Sequence, residues 1–331
     1  MAQRTALIGP LLAVLALVGV AVLSLAMGSQ PVPVWGGLMA WSRGELLPEA
    51  LIVGEVRLPR TLLALGVGAA LGMAGAALQG LLRNPLAEPG LTGASQGAAL
   101  GAASVFYYGW FEWAGPMAVS VAGMLGAAVS LVLVLVLARS ASAGRVIMAG
   151  LAVATITGAL LATALNYAPN PFAMQELVFW LMGSVADRSL QDVLWLVPSL
   201  VVGAALVWSQ RRLLAGLSLG EGVAASLGLN VQTGARVVVL GAAVLVGSSV
   251  AVAGSIGFVG LIVPHIVRPW LRNRADRILL PSACMGAVLV CAADMAVRAL
   301  PGVQELKLGV LTSLIGAPVF VWLVWRGRAQ W

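Results

Sequence analysis

Charge is what this chain of 331 residues has least of. Asp, Glu, Lys and Arg together make up 9% of it, against 60% hydrophobic residues and a mean hydropathy of +1.00. A water-soluble domain of this length would expose far more Lys, Glu and Asp, so that class is excluded. The other solvent is lipid, where only helices and closed barrels satisfy their own backbone. Strand alternation is absent, and the apolar runs reach helical spanning lengths of about 20 residues. Histidine is reduced to His265 and the twelve acids are dispersed, so no cluster suits a membrane-embedded enzyme. Cys284 and Cys291 stand seven residues apart on one predicted helix, about 10 Å along its axis. That excludes a disulfide, and the spacing offers no metal site. No G-x-x-x-x-G-K-[ST] phosphate loop occurs, so no ATP hydrolysis and no catalytic residue is expected on this chain.

What is present is a series of apolar runs with arginines at their ends. The runs are 6–27, 61–82, 94–109, 116–138, 146–168, 191–209, 234–253, 258–271, 278–299 and 308–325. They predict an all-α polytopic membrane protein of about ten transmembrane helices. The third and eighth runs are short enough to be tilted, broken or re-entrant. Run 6–27 is too long for a signal-peptide core and lacks an A-x-A site, so it reads as a retained span. Residues 28–56, with three prolines and three acids, read as an extramembrane loop holding one short helix.

The formal charge of +7 rests on 19 basic residues, all arginine except Lys307. Their placement at span ends reads as topology, not as a nucleic-acid patch. Arg4, Arg83, Arg139, Arg145, Arg211, Arg212, Arg268 to Arg277, Arg326 and Arg328 fall on one side of a ten-span chain. That side is the cytoplasmic one, with both termini inside. Arg57, Arg60, Arg188, Arg298 and Lys307 fall outside. Ten spans divide into two inverted five-helix halves, about 1–190 and 191–331, within one transmembrane domain. An offset of 179 residues pairs Gly68 with Gly247, Ala74-Gly75 with Ala253-Gly254, and Pro85 with Pro264. The 40 glycines suit close helix approach.

The organising stretch is a polar island at 215–232, AGLSLGEGVAASLGLNVQ. Ser218 and Glu221 have capping-box spacing. Leu219, Val223 and Leu227 recur every four residues, along one face of a short helix. Gly228 and Asn230 are placed to stop it. Read locally, this is a surface turn between spans. It also resembles the cytoplasmic coupling helices of ABC-importer permeases for iron–siderophores, haem and cobalamin.

Three further stretches are similar to the same family. They are 57–95, RLPRTLLALGVGAALGMAGAALQGLLRNPLAEPGLTGAS; 253–268, AGSIGFVGLIVPHIVR; and Asp294 to Arg298 with Glu305-Leu306 and GAPVF at 316–320. With the island they reach over the C-terminal four-fifths of the chain. The resemblance implies a homodimer with the translocation path between the copies. It also implies two cytoplasmic ABC ATPase subunits that hold ATP and magnesium, and a periplasmic substrate-binding protein above. The chain would sit in the lipid of a bacterial inner membrane and carry no cofactor. Leu217, Ser218, Leu219, Gly220, Glu221, Val223, Leu227 and Gly228 would meet the ATPase. Ala143 and Gly144 fall in the turn that narrows the cytoplasmic exit, and Gln175 to Leu181 where a short outer gating helix stands.

Arg57, Arg60 and Arg298 are read in two ways. As local pairs, Arg57 joins Glu55 and Arg298 joins Asp294 at the surface. As a rim, all three present guanidinium forks to carboxylates of the binding protein, since the fork accepts a carboxylate bidentately. His265 is expected to serve a structural hydrogen bond. Asp294, the one acid clearly inside a span, is expected to pair with Arg298 four residues on. A bulky iron chelate is the expected cargo, ferric siderophore first, then haem or cobalamin. The alternative class, an ion-gradient-driven secondary transporter, would need protonatable groups near the midplane.

Overall fold

The computed structural model describes residues 2–28, 30–88, 90, 93–138, 143–271, 277–300 and 305–327. Arg139, Ser142, Arg272, Arg274 and Arg328 lie outside the described residues, as do the side chains of Ala143 and Gly144.

Helix α4 (Leu58–Leu82) is the central post. It is built from Ala, Gly and Leu, and 17 of its 25 residues are buried. Its glycines let neighbouring backbones come close. A Cβ at Gly68 would run into the carbonyl of Gly286, and a Cβ at Gly286 into that of Gly68. Gly72 faces the carbonyl of Ser282 in the same way. Helix α14 (Leu279–Ala299) therefore lies directly on α4. Without a hydrophobic driving force between helices in lipid, such close small-residue contact is what holds them.

The remaining helices, in order, are α1 (Ala2–Ala26), α2 (Val34–Ser42), α3 (Pro48–Leu51), α5 (Ala94–Tyr108), α6 (Ala118–Leu137), α7 (Ala143–Asn166), α8 (Pro171–Leu181), α9 (Leu190–Ser209), α10 (Arg211–Leu217), α11 (Glu221–Ser226), α12 (Val231–Ala253), α13 (Val259–Val267) and α15 (Leu308–Gly327). No strand occurs among the described residues. Six helical stretches are long and apolar enough to cross a membrane: 48–82, 118–137, 148–166, 190–209, 231–253 and 279–299. Three shorter apolar helices, Leu12–Ala26, Val259–Leu271 and Leu308–Leu323, coincide with other expected runs, and α5 spans 15 residues. Each expected run is helical over most of its described residues; besides the six, α1 and α15 are 25 and 20 residues long, whereas α5 and α13 are 15 and 9.

Within 28–56 the one short helix expected is α2, but the loop reading of the second part is corrected: it is helical without interruption into α4, as one stretch from Pro48 to Leu82. Pro59 has no amide to give the carbonyl four residues back. The turn before it, Ile52–Arg57, is wound as a π-helix, the usual way a helix absorbs such a mismatch. The R-L-P-R motif thus sits inside a helix, not ahead of one.

Candidate functional site: the two ends of the central helix

At one end of α4 the polar island folds as two helices. Leu213, Leu214, Gly216 and Leu217 of α10 are buried, with Leu214 against Gly80 of α4. The expected capping box does not form. Ser218 instead closes α10, its hydroxyl donating to the Ala215 carbonyl at 2.6 Å. Gly220, at φ +111°, sets the start of α11. That backbone region suits glycine alone, and it moves the helix start two residues past the serine.

Helix α11 stops as expected at Gly228, φ +75°. The Gly228 amide donates to Ala225 and the Leu229 amide to Ala224, at 2.9 and 3.1 Å, which is a Schellman closure. Asn230 does not stop α11. Its side chain accepts from the Thr233 amide at 3.0 Å and opens α12.

Ala224 pins α11 inward, whereas Leu219, Val223 and Leu227 are 67%, 43% and 63% exposed. Glu221 faces Arg83, the residue that caps the C-terminal end of α4, at 3.8 Å. The arrangement is an apolar face on a short helix bracketed by polar turns, attached to the end of the most buried helix.

At the other end of α4 the three arginines do not form an open basic rim. Arg57 is 4% exposed. Its guanidinium donates to the carbonyls of Leu25 and Ala26, at 2.9 and 3.2 Å, and to that of Gln30. Arg298 donates to the carbonyls of Ser24 and Met27, both at 2.9 Å, and to the Ser24 hydroxyl at 2.6 Å. Both arginines therefore close the C-terminal end of α1, where carbonyls have no helical partner.

Arg60 holds the Asp294 carboxylate with Nε at 3.0 Å and Nη2 at 2.8 Å, and also pairs with Glu305. Asp294 meets Arg298 at 3.0 Å, the expected pair, but it is 1% exposed and not at the surface. Glu55 is not the partner of Arg57; it accepts from Trp41 Nε1 at 2.7 Å. The physical reason is reach. An arginine inside a helix at this depth finds the unpaired end of α1 before it finds solvent. Lys307, also on this side, lies 5.8 Å from the ring of Phe179 in α8.

Gln175 and Leu181 fall on α8, which is longer than the expected segment and is capped by Asn170 accepting from Ala173 at 2.8 Å. Gln175 is exposed. The stretch after α8 is tied to α12 and α15, since Ser184 donates to the Ala253 carbonyl at 2.7 Å and Gly309 to that of Gly183 at 3.2 Å. Ala143 and Gly144 begin α7. The hydrogen bond expected of His265 is not seen at Nδ1, which has no partner among the described residues. The residue lines an apolar groove of about 370 Å³ with Phe258, Thr312 and Trp322.

Sequence reasoning missed Glu88. Its carboxylate accepts from the Phe258 amide at 3.0 Å, at the start of α13. Phe258 is at φ +65° and its ring occupies the space over Gly316. The signal was an acid between two prolines directly after a span.

The chain as a whole is similar to known transport proteins. The FecCD transport family model matches residues 15–326. This chain belongs to the FecCD transport family. The chain is 38% identical over 285 residues to the vitamin B12 import system permease protein BtuC of Vibrio cholerae, covering 85% of this chain and 84% of that one. It is 38% identical over 322 residues to the protein of the same name from Citrobacter koseri, covering 96% and 93%. A solved structure titled as an inward-facing conformation of a metal-chelate type ABC transporter superposes with a TM-score of 0.84 at 30% identity, over 95% of this chain and 97% of that one. The chain is a multi-pass membrane permease of the ABC-importer kind.

Proposed function

We propose that this chain is the membrane subunit of an ATP-driven importer for a bulky metal chelate, with vitamin B12 the first compound to test and ferric siderophore the second. The B12-permease names of relatives 38–39% identical over most of the chain favour that order over an iron chelate first. The observation that carries the ATP-driven part is the exposed Leu219–Val223–Leu227 face on α11. An apolar patch at the end of a buried helix, bounded by polar turns, is suited to a protein partner.

In this reading Leu217 to Gly228 dock a cytoplasmic ABC ATPase, both termini are cytoplasmic, and two copies pair in a bacterial inner membrane around the path. A periplasmic binding protein delivers the cargo. The two inverted halves are supported by α4 and α12. Each is the most buried span of its half, and each is followed by a break with a positive φ, at Arg83 and Gly254, and then by a short helix. The turn at Ala143-Gly144 and the outer helix with Gln175 and Leu181 are the candidate gates.

Uptake of labelled vitamin B12 and ferric siderophore by cells with and without the gene tests the reading. Uptake should follow the gene and persist when the proton gradient is collapsed at constant ATP. Loss of uptake under an uncoupler would favour a secondary transporter.

A further inference from the structure

Gln79 is the only amide side chain fully buried among the described residues. Its surroundings explain why an amide is needed there. In a helix the carbonyl of Gly260 would accept from the amide of residue 264, but that residue is Pro264, inside α13, and proline has no N–H. Gln79 Nε2 donates to the Gly260 carbonyl at 3.2 Å and to that of Leu261 at 3.2 Å. Its Oε1 accepts from Arg268 Nη2 at 2.8 Å. One side chain of α4 therefore bonds the first turn of α13 and the arginine just past its end. Gly75, one turn earlier, lets the backbones meet, since a Cβ there would strike Gly260. Backbone groups left unpaired in a lipid-embedded bundle are costly, so this contact resists separation.

The same turn of α4 carries the coupling helices on its other flank. Gly80 lies under Leu214 of α10, and Arg83 faces Glu221 of α11. Gln79 to Arg83, the last turn of α4 and its cap, touch both the coupling helices and α13. Helix α13 supplies Val259, Ile262 and His265 to the apolar groove it forms with α14 and α15.

We propose that Gln79 is a positioning residue that makes α13 follow α4 when the coupling helices are moved. The inference rests on the ATPase-docking reading above. It predicts that the amide is needed for movement as well as for filling an orphaned carbonyl, and the two roles separate in a double variant. Q79L removes all three bonds, including the acceptor of Arg268. P264A returns an amide to residue 264, so that the Gly260 carbonyl no longer needs Gln79.

The full complex, with ATPase and binding protein reconstituted in proteoliposomes, is assayed for cargo moved per ATP hydrolysed and for melting temperature. Q79L should melt lower. Q79L/P264A should recover the part of the melting loss that comes from the Gly260 carbonyl, Arg268 still lacking its acceptor, yet move about tenfold less cargo per ATP than wild type, a typical coupling magnitude. Recovery of wild-type coupling in Q79L/P264A would reduce Gln79 to a carbonyl cap and overturn the inference. Unchanged coupling in Q79L itself would do the same. A wild-type complex in which ATP hydrolysis drives no transport would instead refute the docking reading, independently of Gln79.

Discussion

The two ends of α4 carry the residues that motif reading singles out, and they behave in opposite ways. At the Arg83 end Leu219, Val223 and Leu227 of the island stay largely exposed. At the Arg57 end the arginines are mostly buried and bonded to α1, Asp294 and Glu305, with Arg298 Nε left without a partner among the described residues. An exposed apolar stripe on a polar turn has nothing within the chain to gain, so it keeps its surface for a partner. A guanidinium with five donors takes up any nearby carbonyl or carboxylate, so its presence in a motif does not make it free. Contact with a binding protein at this end would need other groups, or displacement of Glu305, which is the most exposed member of the cluster.

The largest effect expected from this comparison is at Asp294. Asp294→Ala leaves Arg60 and Arg298 buried without their shared carboxylate, and breaking a buried pair by removing one partner costs about 3–5 kcal/mol. Melting in detergent should drop steeply, and Asp294→Asn, which keeps an acceptor, should drop less. A wild-type melting temperature for the alanine variant would mean the cluster is solvated and the contrast between the two ends is wrong.

At the island the expected loss is functional, not thermodynamic. Leu219→Asp with Leu227→Asp changes two exposed side chains, so stability should shift by no more than about 0.5 kcal/mol each. Co-purification of the ATPase should fail in the same variant, while membrane insertion and melting stay normal. Normal co-purification would leave the exposed face without a partner.

These outcomes bear on what was legible in the sequence. The helical class and the position of every long run follow from composition and periodicity, because lipid permits little else. Spanning length is less legible, since 258–271 and 308–325 both read as apolar runs, yet the first gives a 9-residue helix running into a 3-10 turn and the second a helix of 20 residues. The island was found by its Leu219, Val223 and Leu227 spacing, but its internal layout was misread. Ser218 and Glu221 match a capping box in sequence, and only the backbone of Gly220 reveals that the helix begins later. Apart from the Asp294–Arg298 pair, which four-residue spacing shows, the partners of Arg57, Arg60 and Arg298 are not visible, because they lie about 27 to 274 residues away along the chain, beyond any local pattern. Gln79 was quoted within a motif without a role. Its role depends on Pro264, and that link exists only once α4 is known to lie on α13.

The smallest effect expected is at the Arg83–Glu221 pair, where the two ends can be compared on equal chemistry. Both pairs join a basic residue of α4 to an acid from a distant helix, yet Arg83 and Glu221 are 47% and 40% exposed and 3.8 Å apart, against 13% and 1% at 2.8 Å for Arg60 and Asp294. An exposed pair of that geometry contributes about 0–1 kcal/mol and weakens further as salt shortens the screening length. Helix α11 is six residues long, too short to persist on its own bonds, so the pair can steady its orientation without adding much to global stability. Glu221→Arg should leave melting nearly unchanged while reducing ATPase affinity by roughly two- to fivefold, through repulsion between two like charges that is modest in a solvated setting. Reversing the pair, Arg83→Glu with Glu221→Arg, should return most of that affinity at low salt and less of the difference should be visible at high salt. If the reversed pair binds no better than Glu221→Arg alone, Glu221 acts on the ATPase directly, and α11 is held in place by Ala224 and its Schellman closure alone.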